Sequence, residues 1–242
     1  MSKEYVSPQD LRIDGRRPGE IRLVQCKMGL FSHADGSAML EQGNTKIMAS
    51  VYGPREAKLK AHALHDRASV TCQFSITSFA TSERKKVSKG DRRIKERETA
   101  LQKIYQQSIL TNLYPRSQIS IFVQVTQSDG GDFAAAINAC TLALIDAGIP
   151  MQDFVTACTV GLLDGKPVLD INYTETLGSG PKLTVAVVPS KKGEILFMDM
   201  KNKVPLQHLE AFTNAAIDGC VQVYENLKRM VKGHAHSLLA AR

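Results

Sequence analysis

Most of the chain's excess charge is packed into one short stretch. Between positions 82 and 97, eight basic residues (Arg84, Lys85, Lys86, Lys89, Arg92, Arg93, Lys95 and Arg97) stand against Glu83, Asp91 and Glu96, in a 242-residue sequence of formal net charge +7. Adjacent guanidiniums such as Arg92 and Arg93 at a helix start can hold phosphates bidentately without reading base sequence. The chemistry this segment suits is therefore grip on a polyanion. Aromatic residues are only 6% of the chain and tryptophan is absent, so a base-stacking platform has little material and nucleic-acid contact is expected to be mainly ionic.

Other reactive residue types offer less. Cys26, Cys72, Cys140, Cys158 and Cys220 lie far apart in apolar stretches with no Cys-x-x-Cys pair, which reads as buried free thiols in a reducing compartment. His33, His62, His65, His208, His234 and His236 show no ligand triad; His234 and His236, two apart, cannot share a helix face, and a tail or surface role is expected. Gly130-Gly131-Asp132-Phe133 matches the opening of a diguanylate cyclase signature. That chemistry needs the string on a β-hairpin with a further acid, and an Ala-rich helix follows here.

The elements that must position these residues are legible from periodicity. Residues 20–30, 37–41, 46–52 and 69–77 read as strands of a mostly antiparallel sheet, and residues 55–66 as an exposed loop. Ile94, Leu101, Ile104, Tyr105, Ile109 and Leu113 recur at helical spacing until Tyr114-Pro115 stops the run, which puts Arg92 and Arg93 in the first helical turn. Residues 117–127 alternate as a strand with Ile119, Ile121, Val123 and Val125 on one face. Asp129-Gly130-Gly131 then turns the chain into a helix over 133–147, ended by Gly148 and Pro150. Strands at 154–163, 167–173, 182–189 and 194–200 and a long helix over about 205–232 repeat the order. Strands followed by helices, twice over, predict an α+β fold of two similar halves, and with no linker between them residues 1–242 are expected to form one domain. A hydrophobic fraction of 43% suits a packed core, and no apolar run approaches membrane-span length, so a soluble, intracellular chain is expected.

Several strings resemble RNase PH-like subunits of exosomes, collinearly over nearly the whole chain. They are Leu11-Arg12-Ile13-Asp14-Gly15-Arg16-Arg17-Pro18, Ala34-Asp35-Gly36-Ser37-Ala38, Glu41-Gln42-Gly43-Asn44-Thr45-Lys46, Val51-Tyr52-Gly53-Pro54-Arg55-Glu56, Tyr114-Pro115-Arg116-Ser117-Gln118-Ile119, and Asn138-Ala139 through Asp146-Ala147-Gly148-Ile149-Pro150. The likeness is to the eukaryotic ring subunit that corresponds to the catalytic subunit of the archaeal exosome. It implies an RNase PH-like fold of two βαβα-like halves. It also implies RNA as ligand and three kinds of protein partner: other RNase PH-like subunits in a heterohexameric ring, cap subunits with RNA-binding domains, and a hydrolytic exoribonuclease. The family works in nucleus, nucleolus and cytoplasm.

Phosphorolysis needs a site for inorganic phosphate and an acid or Mg²⁺ for the leaving oxygen. In active relatives a Thr-Arg-Ser string after the Asp-Gly-Gly turn holds the phosphate; here Asp132-Phe133-Ala134 stands there. Their acidic positions, which follow an Asp-Leu-Asn-Tyr strand, fall on Thr176 and Lys182 after Asp170-Ile171-Asn172-Tyr173. The resemblance therefore implies no catalytic residue, no metal ligand and no cofactor, with an active phosphate-dependent 3′→5′ exoribonuclease as the alternative. Asp170 and Glu175 remain, and are expected to be strand-end carboxylates satisfied by backbone or solvent. The RNA path is implied to survive in Arg92 and Arg93, in Lys60 at a position that narrows the channel entrance, and in Arg84.

Overall fold

The computed structural model describes residues 5–7, 9–56, 64–84, 90–163, 165–178, 180–191 and 193–240. Alternation of apolar and polar residues produces β1 (Val24–Met28), β2 (Gly36–Gln42), β3 (Thr45–Glu56), β4 (Ser69–Ile76) and β5 (Ser117–Gln127), which form one sheet in the order β1-β2-β3-β5-β4. Only the β4–β5 pair is parallel, as a connection through a helix permits. The second sheet is antiparallel, in the order β7-β6-β8-β9, from β6 (Thr156–Leu163), β7 (Lys166–Leu169), β8 (Lys182–Val188) and β9 (Glu194–Lys201).

Helix α1 (Arg92–Ser108) lies on β4 and touches β9, while α4 (Leu206–Ala240) covers β6, β7 and β8. Between the sheets runs α2 (Asp132–Asp146), in contact with β2 and β3 on one side and with β6 and β8 on the other. A helix apolar all round is stable only when wrapped on all sides, and α2 is buried at every position from Phe133 to Leu144. Tyr105 of α1 is fully buried against it and donates its hydroxyl to the Ile137 carbonyl at 2.5 Å. The larger hydrophobic cluster takes in Ala157, Ala186, Val223 and Leu227 of the second half, so the halves share a core.

Several boundaries differ from the sequence reading. Strand β1 spans only 24–28, because residue 22 is an arginine turned to ion pairing. Strand β3 runs on through Glu56 by pairing with β5, so residues 55 and 56 are not loop; 57–63, with Lys60, lie outside the described residues. Helix α1 stops at Ser108, where Ile109 turns extended to bridge Met151, and Thr111–Leu113 is a separate 3₁₀ turn. Strand β7 ends at Leu169, and Tyr173–Thr176 is a helical turn, α3. Helix α4 continues to Ala240, which makes His234 a helical residue 3.6 Å from Asp146 rather than part of a tail. No helix among the described residues is long and apolar enough to cross a membrane. Cys140, Cys158 and Cys220 are buried as expected, whereas Cys26 and Cys72 are only partly so; burial pushes the Cys72 and Cys220 thiols up to about 12.

The joint between the first sheet and α2 depends on a missing side chain. A Cβ on Gly36 would lie 2.3 Å from the Ala147 nitrogen and 2.4 Å from the Ala143 carbonyl oxygen, both backbone atoms that cannot swing aside. Gly36→Ala is therefore expected to destabilise the fold by at least about 1–3 kcal/mol. Gly233→Ala, in α4 with nothing within 4 Å of its added carbon, should be neutral or stabilising by up to ~1 kcal/mol. Chemical denaturation of the two variants side by side checks both signs.

Candidate functional site

The two halves meet across a cleft of ≈780 Å³ formed by α1, the turn before α2, α3 and the inner face of the second sheet. Its floor is set by an arginine. Arg22 grips Asp170 through Nε (2.9 Å) and one terminal nitrogen (2.7 Å), and its other N–H groups reach the carbonyls of Asp129 and Gly130 and the hydroxyl of Thr45. All five guanidinium donors are thereby used. Gly130 and Gly131 take left-handed conformations in the turn so held, and a Cβ on Gly130 would sit 2.5 Å from the Ile171 carbonyl oxygen. The Asp-Gly-Gly string is thus a requirement of close backbone approach.

Beside it, Arg12 holds Glu175 through Nε (2.8 Å) and a terminal nitrogen (2.5 Å), with its remaining donors on the carbonyls of Glu20, Leu169 and Asp170. Glu175 also closes a capping box with Asn172 at the start of α3, which is why the chain leaves the β conformation there. Both carboxylates are buried in bidentate ion pairs. The expectation that backbone or solvent satisfies them holds in part: the Arg22 N–H donates to Asp170 and the Asn172 N–H to Glu175, each at 2.9 Å, but the charge of each is met by an arginine of the N-terminal segment and not by solvent. Burial alone pushes the Asp170 carboxyl up, but the hydrogen bonds and charge of Arg22 outweigh it and hold it below the usual carboxylate range.

Asp132, Phe133, Thr176 and Lys182 each make defined contacts across the cleft. Asp132, in the first turn of α2 where an anion would otherwise meet free N–H groups, accepts from Arg97 at 2.8 Å. The Arg97 guanidinium also lies over the rings of Phe74 and Phe133, at 5.3 and 5.9 Å from their centroids. Phe133, only 7% exposed, packs edge-on between Phe74 and Phe197. Across the cleft, Lys182 donates to the Thr176 carbonyl at 2.6 Å, and burial together with the charge of Lys201 lowers its pKa.

Of the residues singled out for RNA, Arg92 and Arg93 are the first two residues of α1, and the Asp91 carboxylate caps that helix by accepting from the Arg93 N–H. The first turn contains no acidic residue. Two cations at the positive end of a helix dipole oppose helix stability and add to one local positive potential. The pair does not face one way, since consecutive helical side chains diverge by ~100°. Arg93 lines the cleft, and Arg92 lines a separate groove and pairs with Glu96 at 3.0 Å. Arg84 is exposed and lies outside any helix or strand. Sequence reasoning passed over Arg12, Arg22 and Arg97. The signal for the first two was an arginine set among apolar neighbours, as in Ile21-Arg22-Leu23-Val24; for Arg97, helical spacing from Ile94 and Leu101 would have placed it near the buried stripe.

Comparison with known proteins gives a consistent result. Residues 20–150 match the 3′ exoribonuclease family, domain 1, and residues 153–219 match domain 2 of the same family. The human exosome complex component RRP41 is 47% identical over 232 residues, covering 96% of this chain and 94% of the relative. The Saccharomyces cerevisiae component SKI6 is 38% identical, covering 96% and 94%. Among solved structures, rice Rrp46 superposes with a TM-score of 0.82 at 25% identity, over 91% of this chain and 100% of that one. A chain of the Archaeoglobus fulgidus exosome with RNA bound to its active site superposes at 0.78, with 16% identity, over 90% and 93%.

Asp170→Asn removes the bidentate counter-charge of buried Arg22, leaving it only Asp129 at 3.9 Å, and is expected to cost about 3–5 kcal/mol. Because the folded carboxyl titrates below its unfolded value of ~3.9, the stabilisation is complete above that pH and is lost as pH falls through the folded value. Denaturation midpoints measured from pH 7 to pH 3 should therefore fall less steeply at the acid end in the variant than in the parent.

Proposed function

We infer the function from one premise: the chain belongs to the 3′ exoribonuclease family of RNase PH fold, matched across both family domains. Its relatives are named as exosome components, and the chain is the corresponding ring subunit, acting in RNA processing and degradation. Within that role we read it as a subunit that holds and guides RNA and does not cleave it.

The observation that carries the non-catalytic reading is the Asp132–Arg97 pair at the start of α2. A carboxylate sits where attacking phosphate would need positive surroundings, and the arginine that could supply them is already neutralised by it. Phe133 offers no hydrogen bond to an anion. On the opposite wall Thr176 and the Lys182 ammonium replace acids, and neither residue suits Mg²⁺, which takes carboxylate and water oxygens. Glu175 and Asp170 are both consumed by arginines. RNA handling is supported by Arg92 and Arg93 at the helix dipole's positive end, with Arg84 nearby in sequence and Lys60 outside the described residues. Neighbouring RNase PH-like chains in a six-membered ring, cap subunits with RNA-binding domains and a hydrolytic exoribonuclease complete the assembly in this reading, which operates in nucleus, nucleolus and cytoplasm.

Phosphate separates this reading from an active enzyme. The assembled complex, its hydrolytic partner inactivated, is expected to release no nucleoside diphosphates from RNA in the presence of inorganic phosphate; release that disappears on mutating Lys182 or Thr176 would sink the non-catalytic assignment. Arg92→Glu with Arg93→Glu should weaken RNA binding by the intact complex. The slope of log affinity against log salt should flatten by about 0.7 to 0.9 for each phosphate that the variant no longer neutralises. Unchanged binding and unchanged slope would remove these two arginines from the path.

A further inference from the structure

Next to the cleft, and separated from it by Glu96, Ala100 and Phe197, a groove of ≈480 Å³ runs between α1 and β9. Its helical wall carries one stripe of Arg92, Lys95, Thr99 and Lys103, at spacings of three and four residues that place them one above another, beside a second row of Glu96, Ala100, Ile104 and Gln107. The stripe extends roughly 16 Å from end to end, the rise of about five stacked nucleotides. The wall formed by β9 is Leu196 and Phe197, which are uncharged and partly exposed.

The charge balance of this groove differs from that of the cleft. Three cations face one carboxylate, Glu96, whereas the cleft sets Asp132, Asp199 and Glu96 against its four cations. The two ion pairs that restrain the stripe lie at the surface: Arg92, 91% exposed, to Glu96 at 3.0 Å, and Lys95, 77% exposed, to Glu98 at 3.5 Å. Such pairs are weak in water and readily exchange for a stronger anion. Glu98 is meanwhile held by the Phe74 N–H, and Lys103 has no carboxylate within 4.0 Å among the described residues. Two exposed cations at one end of the stripe and a third about 12 Å further along it, facing an uncharged, partly aromatic wall, fit a linear polyanion whose flat bases can stack, held without sequence reading.

We propose that the α1–β9 groove is a second RNA-holding track, in which a strand leaving Arg92 lays its phosphates along Lys95 and Lys103 and a base against Leu196 and Phe197. The proposal rests on the reading of Arg92 as an RNA contact. It adds a branch that bypasses the cleft: the strand runs past the Asp132–Arg97 pair, on the outer side of Phe197.

The test uses the assembled complex with its hydrolytic partner inactivated and a single-stranded RNA containing 4-thiouridine. In the parent, crosslinks should map to the peptide carrying Leu196 and Phe197. Lys95→Glu with Lys103→Glu should abolish them and flatten the salt slope of binding by about 1.5, the change expected when two phosphates are released. The gentler Lys95→Gln with Lys103→Gln should flatten the slope in the same direction and leave the thermal midpoint unchanged, both side chains being exposed. Parental crosslinks and slope in the glutamate variant overturn the track, even where Arg92→Glu with Arg93→Glu still weakens RNA binding and so keeps the channel reading. Unchanged RNA binding with loss of a protein component from the purified assembly also overturns it, and makes the groove a protein-docking surface.

Discussion

Arg22 and Arg12 cross from the N-terminal segment into the second half and bury themselves against Asp170 and Glu175, and the geometry of the cleft depends on those two pairs. Burying an ion pair is costly unless every remaining donor and acceptor is satisfied. Here each guanidinium has all five N–H groups engaged, two on its carboxylate and three on backbone or hydroxyl oxygens. Several of those acceptors are carbonyls of turns: Asp129 and Gly130 before α2, Leu169 and Asp170 before α3. The arginines therefore fix where both turns lie, and Asp170 between them takes a left-handed conformation, one of the few non-glycine residue types that tolerate it.

With the turns fixed, the start of α2 has one possible location, and what occupies it sets the cleft's chemistry. A helix N-terminus invites an anion. Here the chain supplies that anion itself as Asp132, and Arg97, lying over Phe74 and Phe133, locks it in place. The same arrangement joins the halves through Phe133 and Phe197, one from α2 and one from β9. The start of α2 is thereby closed by the chain's own side chains, while Arg93, and Arg92 in its surface pair with Glu96, lie at the start of α1 where the dipole adds to their positive potential.

The strands that alternate cleanly were legible residue by residue. Ser117–Gln127 matches its expected span, with Ile119, Ile121, Val123 and Val125 facing the core. The Ala-rich helix was placed to within one residue at each end, and Gly148 is left-handed as expected of a helix terminator. Expectations slipped where a distant partner overrode local pattern. Ile109 and Leu113 carry helical spacing, yet Ile109 is drawn into a bridge with Met151. The strand expected through Tyr173 stops at Leu169 because Asn172 and Glu175 cap each other.

By itself the sequence determined the α+β order of elements, part of the buried face of α1 (Leu101, Ile104 and Tyr105), the concentration of cations before and within α1, and the absence of acids at 176 and 182. These are properties of neighbours along the chain, where the 2.0 and 3.6 residue periods act directly. Only the tertiary structure decided that Asp170 and Glu175 belong to Arg22 and Arg12, which lie 148 and 163 residues away along the chain. It alone separated Arg92 from Arg93 into two hollows. Whether a charge is free or spent depends on what it meets through space, and burial raises the cost of an unmet charge until the chain brings it a partner.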